Sequence, residues 1–223
     1  MSTNILEQLK REGSVALWHD YRLGHANDLS GNGNDGTLIN SPTWNRNGLA
    51  FSSDGSQYVN VAHSTILNLT SFSLAAIVTT KRICGYDVFA TICAKYGSGV
   101  ATDFALAIRE DLRDRIYLID TTTRTWTVTR NPNGVSYIGC TVENGNTSSS
   151  LYFDGILEND TLTTAPVITT NTVDLSIGAF GGIANRGFGR TISAFLIFNK
   201  LLTATEHAQV YGQLMKTRQG ILI

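Results

Sequence analysis

Short apolar runs recur along most of the chain, separated by clusters of Gly, Asn, Asp and Ser. Runs of this kind between turn-forming clusters are the pattern of β-strands. The clearest are Val15–Trp18, Tyr58–Val61, Phe72–Thr79, Val88–Ala94, Phe104–Ile108, Arg115–Ile119, Thr125–Thr129, Tyr137–Val142, Leu151–Phe153, Val173–Ile177 and Ile192–Phe198. Alternation is sharpest in the segment TWTVT, where Trp126 and Val128 share one face and the threonines the other. No segment of crossover-helix length separates the runs, so the sheets are expected to be antiparallel. Helical signals bracket this region. Asn4 to Arg11 reads as a short helix stopped by Gly13, and Thr203-Ala-Thr-Glu206 is a capping box followed by an apolar stripe of Val210, Tyr211, Leu214 and Met215.

The pattern predicts an all-β fold, an antiparallel two-sheet β-sandwich with short N- and C-terminal helices. Its 223 residues suit one large sandwich core. The expected division is a helix or arm over residues 1–13, a sandwich over 14–218 that includes a C-terminal helix over 203–218, and an apolar tail over 219–223. Hydrophobic residues make up 42% of the chain and charged residues 16%, a composition that argues against disorder. The formal charge of −1 and the lack of Lys/Arg runs exclude nucleic acid as the expected partner. No apolar stretch approaches the roughly 20 residues of a membrane helix, so no membrane partner is expected. The N-terminus carries charges where a signal peptide needs an apolar segment, which implies a protein made in the cytoplasm without an export signal. On that reading the N-x-S/T sequons at Asn68, Asn146 and Asn159 carry little meaning, and Cys84, Cys93 and Cys140 read as buried free thiols, with a Cys84–Cys93 pair the alternative in an oxidising place.

One ordered series of motifs adds to this. Asp28–Leu38 (DLSGNGNDGTL) is followed by Leu49–Val59 (LAFSSDGSQYV), Ser71–Ala75 (SFSLA), Leu151–Gly155 (LYFDG), Leu175–Gly178 (LSIG) and a closing stretch from Phe188 to Glu206. In this order they resemble the laminin-G-like jelly-roll family of the concanavalin-A-like lectin and glucanase superfamily. The resemblance covers roughly Val15 to Leu214 and implies a jelly-roll sandwich; fold alone does not imply function. Three positions depart from the family pattern: Ile77 stands for a strand tryptophan, and Ser193-Ala194 for an acidic pair.

The resemblance implies a calcium ion near Asp28–Gly36, where Asp28, Asn32, Asn34 and Asp35, with Asp20 close by, supply hard oxygen ligands. The alternative is a tight turn in which Asn and Gly accept positive φ. Sugar binding calls for aromatic faces and planar polar groups. The candidates are Trp44, Tyr86, Tyr96 and Trp126, with Asn185 and Arg186 on the Gly-rich 181–189 loop. Catalysis is not expected. Glucanases of this fold set two carboxylates on alternate positions of one strand, and no E-x-D-x-E pattern occurs. Glu110 and Asp114 have the wrong spacing, and His19, His25, His63 and His207 are scattered.

The sequence therefore points to a lectin-like module that binds a glycan or cell-surface polysaccharide. Standing alone without an export signal, it is expected as a structural or decorating component of a bacteriophage virion. A virion subunit without glycan binding is the alternative, and a glycan-active enzyme a more distant one. The apolar side of the N-terminal helix (Ile5, Leu6, Leu9) and the tail Gly220–Ile223 suggest contacts in a homo-oligomer or with other virion proteins.

Overall fold

Several of the expected strands show no polar face, because the sheet they form is covered on both sides. The structure, a computed structural model, describes residues 4–80, 89–95, 104–109, 115–119, 123–127, 134–181 and 183–218. Among these the elements run in the order α1 (Ile5–Arg11), β1 (Val15–Asp20), β2 (Gly36–Ile39), β3 (Thr43–Asn45), β4 (Gly48–Ala50), β5 (Tyr58–Val61), β6 (Phe72–Thr80), β7 (Phe89–Lys95) and β8 (Phe104–Arg109). They continue through β9 (Arg115–Ile119), β10 (Thr123–Thr127), β11 (Gly134–Val142), β12 (Ser150–Phe153), β13 (Ile156–Asn159), β14 (Leu175–Ile177), β15 (Thr191–Phe198) and α2 (Ala204–Arg218). The strands form two antiparallel sheets. Sheet A has the order β13-β12-β11-β6-β15-β4-β3 with β1 also on β15, and sheet B the order β10-β9-β8-β7-β14-β5-β2. The fold is an all-β sandwich with two short helices, as the periodicity predicts.

The alternation along sheet A explains a third layer. In β6, Phe72, Leu74, Ala76 and Val78 enter the core between the sheets, while Ala75 and Ile77 face outward. In β15, Ile192, Phe195 and Ile197 go inward, and Ala194, Leu196 and Phe198 outward. The outward set is buried because α1 covers it with Ile5, Leu6 and Leu9, and α2 with Val210 and Leu214. Each such side chain contributes roughly 1.5–3 kcal/mol on burial, enough to hold a seven-residue helix that is marginal alone. The expectation that this stripe seats a partner is corrected: α1 spends it on its own sandwich. The tail 219–223 lies outside the described residues.

Both helices are capped as local chemistry dictates. The Asn4 side chain accepts from the amides of Leu6 and Glu7. At α2 the capping box closes reciprocally: the Glu206 amide donates to the Thr203 hydroxyl at 3.2 Å, and the Thr203 amide to the Glu206 carboxylate at 2.8 Å. Strands β2, β3, β4 and β13 have no counterpart among the clearest apolar runs; all are three or four residues long.

Two buried histidines join the layers. His207 of α2 sits between Tyr137 and Thr141 of β11, its ring stacked on Tyr152 at a centroid distance of 4.0 Å. The Thr141 hydroxyl can donate to the Leu202 carbonyl, so it accepts from Nε2–H of His207, and Nδ1 accepts from the Tyr137 hydroxyl. His19 repeats the arrangement, with Nε2 on the Asn34 carbonyl at 2.9 Å and Nδ1 on the Tyr21 hydroxyl at 3.1 Å. Each network suits the neutral ring. Gly139 makes room for the first of them, since a Cβ there would stand 2.7 Å from His207 Nδ1.

Burial lowers the pKa of both rings, that of His207 to about 3. The unfolded chain, whose histidines titrate near the ordinary value of about 6.5, binds more protons than the folded one below that pH. Stability is therefore full above pH 6.5 and lost as the pH falls towards the folded values. Between pH 6.5 and 5, above most carboxylate titration, His207 should lower the unfolding free energy by up to about 1.4 kcal/mol per pH unit, with His19 acting in the same direction. Urea titrations across this range check it. His207→Gln should be less stable at pH 7 and show a shallower pH slope.

Candidate functional site

Two groups of polar loop residues compete for a functional role. The first is the Asp28–Gly36 loop. Strand β1 would present a bare edge next to β15, and this loop fills it. The Leu29 amide donates to the Trp18 carbonyl, and the Trp18 amide donates to Asp28 Oδ1. The Asn32 side-chain amide donates to the Val15 and Ala16 carbonyls, and that of Asn34 to Ala16. Asp28 is the hub. Its Oδ1 accepts from the amides of Trp18 and Ser30, and its Oδ2 from the Ser30 hydroxyl and the Asn34 amide.

These residues, set out above as calcium ligands, do not fit that ion as they are folded. Asp28 has four donors on its two oxygens, Asp35 accepts from the Asp28 amide, and Asp20 is paired with Arg22. Asn32 and Asn34 direct N–H groups at strand carbonyls, and Asn34 Oδ1 accepts from Ser64. Among the described residues no group of three or more His, Cys, Asp and Glu is placed to hold a metal ion.

The second group is a crown built from residues 40–45, 51–57, 179–181 and 183–191. The Asn185 amide donates to the Asp54 carbonyl at 2.7 Å, the Gly187 amide to Ser53, and the Phe51 amide to Arg190. Asn40 reaches the Ser56 carbonyl, and Gln57 accepts from the Ser52 amide. The approach of the two larger loops depends on glycine: a Cβ on Gly187 would stand 2.2 Å from the Ser52 carbonyl, and one on Gly55 2.3 Å from that of Ile183. Non-glycine residues with left-handed φ among the described residues are Asn40, Ser41, Asp154 and Asn185, and all but Asp154 lie in this crown. Asp54 is exposed, and hydrogen bonds from the Ser52 hydroxyl and from the Ser56 amide and hydroxyl hold its carboxyl below the ordinary carboxylate range.

The residues proposed for sugar contact fall in different places. Asn185 is exposed in the crown, and Arg186 lies beside it with its guanidinium 5.0 Å from the centre of the buried Phe180 ring. Trp44 is half-buried, packed on the core and tilted against Tyr21. Trp126 is corrected: it is fully buried, with its indole N–H donated to the Ser149 carbonyl, and it offers no ring face to a ligand. Tyr86, Tyr96, Cys84, Glu110 and Asp114 lie outside the described residues. Cys93 and Cys140 are buried free thiols, with burial pushing the latter up to about 12, far from a reactive thiolate. Asp54 was not among the sequence candidates, because S-x-D-x-S before a strand reads equally well as a turn.

No family model and no curated protein sequence matches this chain. Solved structures do. Domain 4 of AbnA, a GH43 extracellular arabinanase from Geobacillus stearothermophilus solved with arabinotriose, aligns at a TM-score of 0.64 and 13% identity, over 89% of this chain and 98% of that domain. The botulinum neurotoxin serotype G binding domain aligns at 0.69 and 17%, over 91% of this chain and 52% of its own. Trypanosoma rangeli sialidase in complex with sialic acid aligns at 0.61 and 14%, over 89% and 33%. The chain thus spans about half of that toxin chain, a third of the sialidase and nearly all of the arabinanase domain. At these identities the likeness is one of fold.

If hydrogen bonds alone hold the Asp28 loop, the melting midpoint is unchanged by EDTA or by millimolar calcium, whereas a native-state calcium site would raise it with concentration. Asp28→Ala, which strips four donors of their acceptor and frees the β1 edge, should destabilise the protein by about 3 kcal/mol or more.

Proposed function

We propose that this chain is a non-catalytic carbohydrate-binding module. The observation that carries the reading is the correspondence with the arabinanase domain: nearly the whole of a domain solved with an oligosaccharide aligns with nearly the whole of this chain. The sialidase solved with sialic acid shares the same fold over about a third of its length. The chain's own surface is consistent with it. The outward face of sheet A is covered by helices, while the crown presents hydroxyl, amide and carboxylate groups in a rigid frame. Saccharides are recognised by such planar polar groups held in place beforehand, because little entropy is then lost on binding.

A glycosidase needs two carboxyl groups facing one scissile bond. Here Asp20, Asp28, Asp174 and Glu206 are each engaged in hydrogen bonds that organise the fold. The two buried histidines are likewise committed to structural partners. These groups are thereby taken out of the acid and nucleophile roles. The virion setting expected from the sequence draws nothing from the three likenesses, which are to an arabinanase, a toxin and a sialidase.

A glycan array followed by calorimetry on the hits tests the reading. The expected result is saturable binding to a defined oligosaccharide class at micromolar to millimolar Kd, with no new reducing ends released from the same ligands. An array with no hit, or release of reducing ends, overturns it.

A further inference from the structure

Among the polar groups that the crown leaves unspent, two belong to residues joined by a backbone hydrogen bond. Asp54 accepts three hydrogen bonds, all on Oδ1. Its Oδ2 accepts none from the described residues, although the side chain is exposed and ionised well below neutral pH. The Asn185 side chain is also exposed and has no hydrogen-bond partner among the described residues. Its amide N–H is tied to the Asp54 carbonyl at 2.7 Å, and its backbone is held at φ 62. In the other polar loop Asp28 has both oxygens filled, and exposed Asp35 is held by one hydrogen bond where Asp54 is held by three.

We infer that Asp54 Oδ2 and the Asn185 side-chain amide form the primary contact for the vicinal hydroxyls of a neutral saccharide. This rests on the carbohydrate-binding reading above and names its site and ligand class. A carboxylate oxygen accepts from a sugar hydroxyl in a charge-assisted bond, and a side-chain amide both donates and accepts, so together they match a diol. The orientation is set in advance. Three donors fix the Asp54 carboxylate, and glycine-dependent contact at Gly55 and Gly187 fixes the two loops against each other. A sugar acid would bring its own carboxylate towards Asp54, so the site favours neutral sugars over sialylated or uronic ones. Left-handed backbone at Asn185 is costly for a non-glycine residue, and Asn is among the few that tolerate it while keeping a planar polar group.

Two substitutions separate this contact from folding. Asp54→Asn keeps an oxygen for the three donors and turns the free Oδ2 into an N–H₂ group. Asn185→Gly removes the amide at a position whose φ suits glycine. Asn185→Gly should melt at or above the wild-type midpoint, and Asp54→Asn, which trades charge-assisted hydrogen bonds for neutral ones, slightly below it with a cooperative transition. Calorimetry with arabinotriose and a panel of neutral oligosaccharides should show each variant binding about tenfold more weakly than wild type, and sialyllactose binding more weakly than the neutral ligands. Wild-type affinity for neutral sugars in both variants overturns the site and leaves the general reading intact. Preference for sialyllactose overturns the ligand class. Failure of wild type to bind any of the panel overturns the general reading and this inference with it.

Discussion

Sheet A is apolar on both faces, and that constraint arranges the rest of the molecule. A strand such as β15 alternates Phe195 and Ile197 inward with Leu196 and Phe198 outward, so one partner sheet buries half of its hydrophobic surface. The other half needs a second cover. The chain supplies it from its two ends, α1 and α2, and seals the contact with His207 and its partners Tyr137, Thr141 and Tyr152. The centre of sheet A, on β6, β11 and β15, is thus covered on both faces, while its edge strand β13 keeps Ile156 and Leu157 exposed. Loops at the rims, where backbone need not be packed between layers, are then free to carry polar groups into solvent.

The two rim loops use similar residues for opposite ends. In residues 28–36, Asp, Asn and Ser side chains turn back onto strand β1 and complete its edge. In residues 51–57 and 185, the same residue types brace one another and leave a carboxylate oxygen and an amide facing solvent. The difference lies in which backbone groups need partners. Strand β1 has an unpaired edge with donors and acceptors to satisfy, whereas the crown segments satisfy theirs through Gly55, Gly187 and their neighbours.

Local signals were legible in the sequence. The Thr203–Glu206 capping box forms as read, because its chemistry spans only four residues. Most strand cores, such as Tyr58–Val61, fall where apolar runs meet turn clusters. What depends on the third dimension was not legible. The stripe Ile5, Leu6, Leu9 signals that a surface must be covered without saying whose, and it proves to be the chain's own. TWT alternation divides Trp126 from its threonine neighbours but does not say which face is inside. An Asn/Asp/Gly loop has the same composition whether it binds calcium or closes a strand edge; only the direction of its N–H groups decides. Asp54 escaped notice because the vacancy of one oxygen is a property of geometry.

We propose that α1 and α2 cover the centre of sheet A's outward face and that saccharide is met at the crown. Backbone amide NMR of the full chain during titration with arabinotriose tests it most directly. The account predicts shifts concentrated in residues 51–57 and 181–190, with α1, α2 and the 28–36 loop unperturbed. Shifts centred on α1 or α2, or on Asp28–Gly36, would contradict it.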